Sequence, residues 1–116
     1  MRIGSVVIDC RDFHRMSKFW REALRYVPRE PPEEGWIVLR DPAGRGPNVS
    51  LNWDPEKREG PGPIHLDFYT NDREHEANRL LSLGATRHRP PDPDEDFEVL
   101  ADPEGNLFCI VSKPEA

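Results

Sequence analysis

Apolar and polar residues alternate most clearly near the end of the chain. From Phe97 to Val111 the sequence FEVLADPEGNLFCIV alternates on both sides of an Asp-Pro-Glu-Gly turn, which predicts a β-hairpin. The stretch from Trp36 to Gly44, WIVLRDPAG, repeats the order of an aromatic residue, a Val-Leu pair and an Asp-Pro turn. Because such a repeat indicates duplication, the chain is predicted to contain one structural unit twice.

Each unit is predicted to begin with a strand followed by a helix. The segments Ile3 to Cys10 and Ile64 to Thr70 alternate between an apolar and a mixed face, as half-buried strands do. Asp12 and Asp72 follow them and are suitable N-cap residues. The helix after Asp12 carries apolar residues at three- and four-residue steps, which predicts a buried stripe.

The remaining strands and the unit boundaries follow from the proline-rich stretches. Short edge strands are predicted within 25–30 and 85–89, and a further strand at 48–53 completes the first hairpin. Residues 54–63 have no periodicity and several prolines, so we interpret them as a linker. The prediction is one domain over 1–116, with a first unit at about 1–53 and a second at about 64–113.

Composition and charge narrow the function classes. The net charge of −6 in 116 residues argues against binding to nucleic acid, which draws on clustered Lys and Arg. No apolar run reaches the length of a membrane span, and two cysteines do not make a disulfide framework. Because no signal peptide is recognisable after Met1, we expect a cytoplasmic protein without a membrane partner.

Three short motifs suggest a family. VVIDC at Val6 to Cys10, HLD at His65 to Asp67 and DPEGN at Asp102 to Asn106 occur in the order and spacing of the two units. Together they resemble the vicinal oxygen chelate superfamily, and most nearly its glyoxalase-like domain (glyoxalase, bleomycin resistance and dioxygenase-like) proteins. The resemblance implies an α+β fold in which two tandem βαβββ units form curved mixed sheets around a cavity, with the helices on the convex sides.

The resemblance also indicates where a metal would bind. Superfamily enzymes commonly place metal ligands on the first and last strand of each unit, positions that correspond here to Ser5, Asn52, His65 and Cys109. Metal-dependent members would usually offer His and Glu there, so this set indicates a degenerate site, and no cofactor is expected. If a divalent metal binds, His65 and Cys109 would hold it, with a third donor from Asp67 or Asp9.

The predicted site residues combine polar and aromatic side chains. Those expected to line the cavity and bind substrate are Ser5, Asp9, Trp36, Asn52, His65, Asp67, Tyr69, Phe97 and Cys109. His65 is the candidate catalytic residue, as a general base, although a ligand contact or a hydrogen bond to a neighbour would suit it as well. Cys109 is expected to be an inert thiol rather than a nucleophile.

Two further expectations concern these residues. Asp9 and Asp67 are predicted to be equivalent residues of the two opening strands, where enclosed carboxylates need partners. Trp36 and Phe97 either line the cavity or belong to the core under the helices.

Three functions are consistent with these features. The first is a protein with a degenerate metal site that binds a small molecule in the cavity. This class extends to an uncharacterised lyase or isomerase. The second is a metal-dependent lyase or dioxygenase using His65 with Asp or Cys donors. The third is a non-catalytic scaffold or partner-binding subunit. A homodimer is expected because sheet edges need cover.

Overall fold

The computed structural model describes residues 1–115 and contains eight strands and two helices in that range. In chain order these are β1 (Ser5–Cys10), α1 (Phe13–Leu24), β2 (Val27–Pro28), β3 (Trp36–Arg40), β4 (Asn48–Trp53), β5 (Leu66–Thr70), α2 (Arg73–Leu83), β6 (Thr86–Arg87), β7 (Phe97–Ala101) and β8 (Leu107–Ser112). The chain divides into two compact units, Met1–Arg58 and a second from Glu59 onward. The predicted α+β class with two βαβββ units is confirmed. The single-domain organisation with a linker at 54–63 stays a prediction.

Each unit forms one open four-stranded mixed sheet. The strand orders are β1-β4-β3-β2 and β5-β8-β7-β6, so the first strand of each unit lies beside its last. That pair is parallel, and the other neighbouring pairs are antiparallel. A parallel pair requires a long crossover, which the helix and the two intervening strands supply.

The two helices begin at the predicted caps. The Asp12 carboxylate accepts a hydrogen bond from the backbone N–H of Arg15 at 3.2 Å, and the Asp72 carboxylate accepts one from the N–H of His75 at 3.1 Å. Such bonds satisfy donors that a helix leaves free in its first turn. α1 ends at Leu24, and the capping residue Arg25 after it has a left-handed φ of 56°. Of the residues expected in the helical stripe, Met16, Trp20 and Ala23 are buried, whereas Phe13 and Leu24 are only partly buried. Phe19 is also buried, although it was not expected in the stripe.

The sheet of the second unit has one buried and one open face. α2 packs against β7 and β8, and the residues Leu100, Phe108 and Ile110 of those strands are at most 2% exposed. The alternating residues Val99, Cys109 and Val111 point to the other face and are only partly buried. We call the side of β5, β7 and β8 that carries Asp67, Val99 and Cys109 the open face of the second unit.

The strand registers correct two predicted equivalences. Asp67 lies opposite Cys109, whereas the corresponding pair of the first unit is Val7 and Ser50. Asp67 lies two residues farther from its cap, Asp72, than Asp9 lies from Asp12. Its counterpart is therefore Val7 rather than Asp9.

The same registers show that Asn52 is not the counterpart of Cys109. Val38 lies opposite Ser50 and Val99 opposite Cys109, so the counterpart is Ser50. The reason is the turn between the hairpin strands, which is longer in the first unit than in the second and shifts the alignment of the last strands.

Both opening strands are shorter than predicted, and β1 begins at Ser5 rather than Ile3. The opening strand of the second unit begins at Leu66 rather than Ile64, whose side chain is 78% exposed. His65 therefore lies immediately before the strand. Within residues 1–115, neither helix is long and apolar enough to cross a membrane.

The hairpin turn of the second unit is organised by a buried aspartate. Asp102, 2% exposed, accepts hydrogen bonds through Oδ1 from the backbone N–H groups of Glu104 at 2.9 Å and Asn106 at 3.0 Å. Gly105 occupies the left-handed region of this turn with a φ of +86°. A Cβ there would lie 3.0 Å from the backbone nitrogen of Gly60. The linker backbone therefore packs directly on the turn.

We expect Gly105→Ala to destabilise the protein more than Gly44→Ala. Both glycines have positive φ, +86° and +68°, which costs a residue with a Cβ about 1–2 kcal/mol. Only at Gly105 would the Cβ also meet backbone, since nothing lies within 4 Å of the equivalent position at Gly44. Overpacking adds about 1–3 kcal/mol. Urea unfolding of both variants measures the difference, and equal losses would contradict the close packing.

Candidate functional site

Cross-strand rows place chemically distinct residues side by side on the open face of the second unit. Asp67 of β5, Cys109 of β8 and Val99 of β7 form one row across the three strands. Tyr69, Val111 and Phe97 form the next. Neighbouring side chains in such rows are close enough to interact. One row is thus polar and the other aromatic and aliphatic.

A polar cluster lies at the beginning of β5. The Nε2 atom of His65 is 3.3 Å from Oδ1 of Asp67, and donor atoms of His65, Asp67 and Cys109 all lie within 4.8 Å of one another. The side chains of His65 and Asp67 are 62% and 48% exposed, whereas Cys109 is partly buried. We call these three residues the His-Asp-Cys cluster. It combines three of the predicted site residues in one unit.

The surroundings of Cys109 favour the protonated thiol. Partial burial raises its pKa, and the charge of Asp67 and a hydrogen bond to that carboxylate raise it further, while Arg89 acts in the opposite direction. A thiol is a nucleophile only as the thiolate. These interactions are consistent with the prediction of an inert thiol.

Arg89 is a site residue that the sequence interpretation missed. Its guanidinium carbon lies 5.5 Å from the centroid of the Phe97 ring, in a cation–π arrangement. Both of its terminal nitrogens contact the carboxylate of Glu95, at 2.7 and 3.0 Å. The hydrogen bond to Glu95 raises the pKa of Arg89. Its position at the end of the predicted edge strand, beside an acidic loop, was the available signal.

The equivalent positions of the first unit carry a different set of residues. Ser5 and Ser50 are hydrogen-bonded to each other through their hydroxyl oxygens at 2.6 Å. The Asn52 amide donates to Asp9 at 3.1 Å, and Trp36 lies opposite Asn52 on the neighbouring strand. The predicted residues of this unit therefore form two small groups, a serine pair and an Asp9-Asn52-Trp36 row.

The donor chemistry of the two units differs in its suitability for a metal. Serine hydroxyls that already bond each other are poor ligands for a divalent ion. His65, Asp67 and Cys109 provide an imidazole, a carboxylate and a thiol, which are the three usual ligand types for zinc. A divalent ion would therefore fit the second unit and not the serine pair of the first.

A shallow groove of about 360 Å³ also lies on the first unit. It is lined by Arg11, Asp12, Phe13, His14, Glu34, Gly35 and Trp53, and none of these was among the predicted site residues. Trp53 is 52% exposed, so an aromatic surface is accessible there. The first unit thus offers a second surface feature apart from its serine pair.

Two duplicated βαβββ units with polar residues on the first and last strands define a small α+β protein of the vicinal oxygen chelate type. The family model described as a glyoxalase-like domain matches residues 5–111. The chain therefore belongs to the glyoxalase-like domain family. This confirms the resemblance inferred from the sequence motifs.

Solved structures agree with this fold. A glyoxalase/bleomycin resistance protein/dioxygenase family enzyme from Burkholderia phytofirmans PsJN is 20% identical with a TM-score of 0.75, and the alignment covers 97% of this chain and 98% of that one. A glyoxalase-related enzyme from Fulvimarina pelagi is 18% identical, with a TM-score of 0.72 and coverages of 98% and 89%. A bleomycin resistance determinant encoded on the transposon Tn5 is 15% identical, with a TM-score of 0.65 and coverages of 97% and 98%. No curated protein was found to match the sequence.

We expect Asp67→Asn to make Cys109 more reactive towards thiol reagents. The substitution removes the negative charge that raises the thiol pKa, so more thiolate is present at a given pH. Arg89→Gln should have the opposite effect because the guanidinium lowers that pKa. Alkylation rates against pH, measured with chelator present in a Cys10→Ala background, test both directions. Equal rates in all three proteins would contradict the assigned causes.

Proposed function

We propose that this protein binds a small organic molecule on the open face of its second unit. The observation that supports the proposal is the His-Asp-Cys cluster, which lies beside the aromatic and aliphatic row containing Phe97 and Val111. Small-molecule sites generally combine apolar walls with a few convergent polar groups. His65 and Asp67 are exposed enough to contact a ligand directly.

The chemistry of the open face indicates the kind of ligand. Asp67 accepts hydrogen bonds, and His65 donates or accepts them according to its protonation state. The charge of Arg89 lies over the Phe97 ring and is paired with Glu95, so it is not an isolated cation on this face. A polar molecule with a flat or aliphatic portion could contact both the polar row and the aromatic and aliphatic row.

The remaining parts of the functional hypothesis stay predictions. Ser5, Asp9, Trp36 and Asn52 stay predicted site residues within the first unit, and His65 is proposed as a general base if a reaction occurs. A lyase or isomerase reaction on the ligand and a cytoplasmic location are likewise predictions.

A homodimer is also part of the proposal. β1 and β5 lie at the edges of their sheets, and edge strands of this kind tend to associate. Val7 and Tyr69 on these strands are 51% and 49% exposed. Association of two chains would cover this apolar surface.

We expect a ligand found by screening the full chain to lose affinity when the open face is altered. His65→Ala and Phe97→Ala should each raise Kd by at least about tenfold, or roughly 1.4 kcal/mol. The matched control is His14→Ala, an exposed histidine in the groove of the first unit, which should leave Kd unchanged. Isothermal titration and chemical-shift mapping provide the measurements.

Two outcomes would contradict the proposal. Loss of affinity in His14→Ala alone would assign the ligand to the groove of the first unit. A broad metabolite screen without any binder would favour the scaffold or partner-binding function.

A metal-dependent lyase or dioxygenase is the second candidate, favoured by the proximity of three donors within 4.8 Å. If it applies, the screened ligand should be converted only when a divalent ion is present, and Asp67→Asn should reduce the rate at least roughly tenfold. Product analysis with and without chelator measures this. Recovery of unchanged ligand in every sample would contradict the enzyme and leave ligand binding intact.

A further inference from the structure

We infer that the groove of the first unit binds a small organic cation of the quaternary-ammonium class. Its lining combines three aromatic rings, two carboxylates and one guanidinium, from Phe13, His14, Trp53, Asp12, Glu34 and Arg11. Aromatic faces attract such cations, and carboxylates supply the compensating charge. The inferred site lies on another unit than the open face and does not depend on the small-molecule proposal.

The groove lies on the side of the first sheet that faces α1. Side chains alternate between two sides along β4, so Trp53 shares a side with the buried residues Val49 and Leu51. α1 packs against β4, and its first residues line the groove together with Trp53. Ser50 and Asn52 are on the other side of the strand. The groove is therefore separate from the serine pair and from the Asp9-Asn52-Trp36 row.

The side chain of Trp53 is held by the backbone and is still accessible. The backbone N–H of Trp53 donates a hydrogen bond to the carbonyl oxygen of Gly35 at 2.8 Å. A Cβ at Gly35 would lie only 3.2 Å from the Cβ of Trp53, so the loop before β3 packs closely on this residue. Trp53 nevertheless remains 52% exposed, whereas Trp20 is buried. An accessible indole is the best aromatic partner for a cation.

The charges of the lining favour a cation over an anion. Two carboxylates face one guanidinium, and His14 adds a positive charge only when it is protonated. Glu34 is exposed, and no residue in the described part of the chain forms an ion pair with it. Its carboxylate is therefore available as the counter-ion of a ligand.

The N-terminus of α1 opposes a cation at this place, but not strongly enough to reverse the balance. A helix N-terminus carries about half an elementary positive charge. Together with Arg11 this remains below the two negative charges of Asp12 and Glu34. Asp12 also caps the helix directly, by accepting the hydrogen bond from the N–H of Arg15 at 3.2 Å.

The shape of the groove selects the kind of cation. Its volume of about 360 Å³ is near the lower end of the usual range for small-molecule sites. A compact ammonium ion with N–H donors is strongly hydrated, and a shallow site offers few groups to replace that water. A quaternary ammonium ion has no N–H donors and presents methyl groups that can contact Trp53 and Phe13. Aromatic recognition of this class is well suited to a half-open site.

Titration of the full chain with choline tests the site by nuclear magnetic resonance. The neutral reference ligand is dimethylbutanol, in which a carbon atom replaces the charged nitrogen of choline. We expect choline to shift the indole N–H signal of Trp53 and the amide signal of Gly35 saturably, and to leave those of Trp20 and Cys109 in place. Dimethylbutanol should bind at least about fivefold more weakly, because it lacks the attraction to the ring and to the carboxylate.

Substitutions separate the contribution of the ring from that of the carboxylate. Trp53→Leu should weaken choline binding at least about fivefold, and Trp53→Phe less, since indole is the stronger partner of a cation. Glu34→Gln should weaken it about two- to fivefold. The matched control is Glu33→Gln, which removes the same charge from the neighbouring exposed residue outside the lining and should leave Kd unchanged.

Contrary results would overturn the inference in distinct ways. Equal affinity for choline and dimethylbutanol would exclude a cation site. Signals that move on the open face, such as those of Val99 and Cys109, while Trp53 stays unchanged would assign the cation to the second unit. No shift at all would refute the site, whether or not another ligand binds the open face.

The glutamate variants keep the test valid if Trp53→Leu folds poorly. Both replaced carboxylates are exposed, so neither substitution should affect folding. Equal weakening in Glu33→Gln and Glu34→Gln would mean that choline responds only to the overall charge of the surface, and this would contradict a defined site in the groove.

Discussion

Parallel pairing of the first and last strand of each unit is the constraint on which the rest of this structure depends. It places β1 beside β4 and β5 beside β8, although about forty residues of chain separate each pair. The helix caps and the hairpin turns set the register of these pairs. As a result, Asp67 and Cys109 lie opposite each other, and the open face obtains its polar row.

The same scaffold carries different chemistry in its two copies. In the first unit the row equivalent to Asp67-Cys109-Val99 is Val7-Ser50-Val38. Ser50 is completely buried and is hydrogen-bonded to Ser5. In the second unit His65 and Asp67 remain exposed. A hydroxyl pair satisfies its own hydrogen bonds, whereas an imidazole, a carboxylate and a thiol can bind a common partner. The two copies therefore share a fold but differ in chemistry at these equivalent positions.

The sequence was sufficient to predict the strands and helices, but not to predict which residues of the two units are equivalent. Alternation and turn residues predicted β4 with its observed ends, and Asp12 and Asp72 were identified as caps because their role is local. The predicted equivalence of Asp9 with Asp67 was wrong because it rested on similar neighbouring residues. The distance along the chain from each aspartate to its helix cap differs by two residues. Arg89 was not assigned to the site, since its contact with Phe97 depends on how β6 pairs with β7 across the loop between them.

The interactions that raise the pKa of Cys109 also bear on its suitability as a ligand. Burial raises the pKa of Cys109, and Asp67 raises it further because a thiolate would place two negative charges side by side. A divalent cation placed between these groups reverses that balance, since it compensates both charges at once. The proximity of Asp67 therefore argues against Cys109 as a nucleophile and for Cys109 as a metal-binding group. One arrangement of charge thus separates the two roles that a cysteine at this position could have.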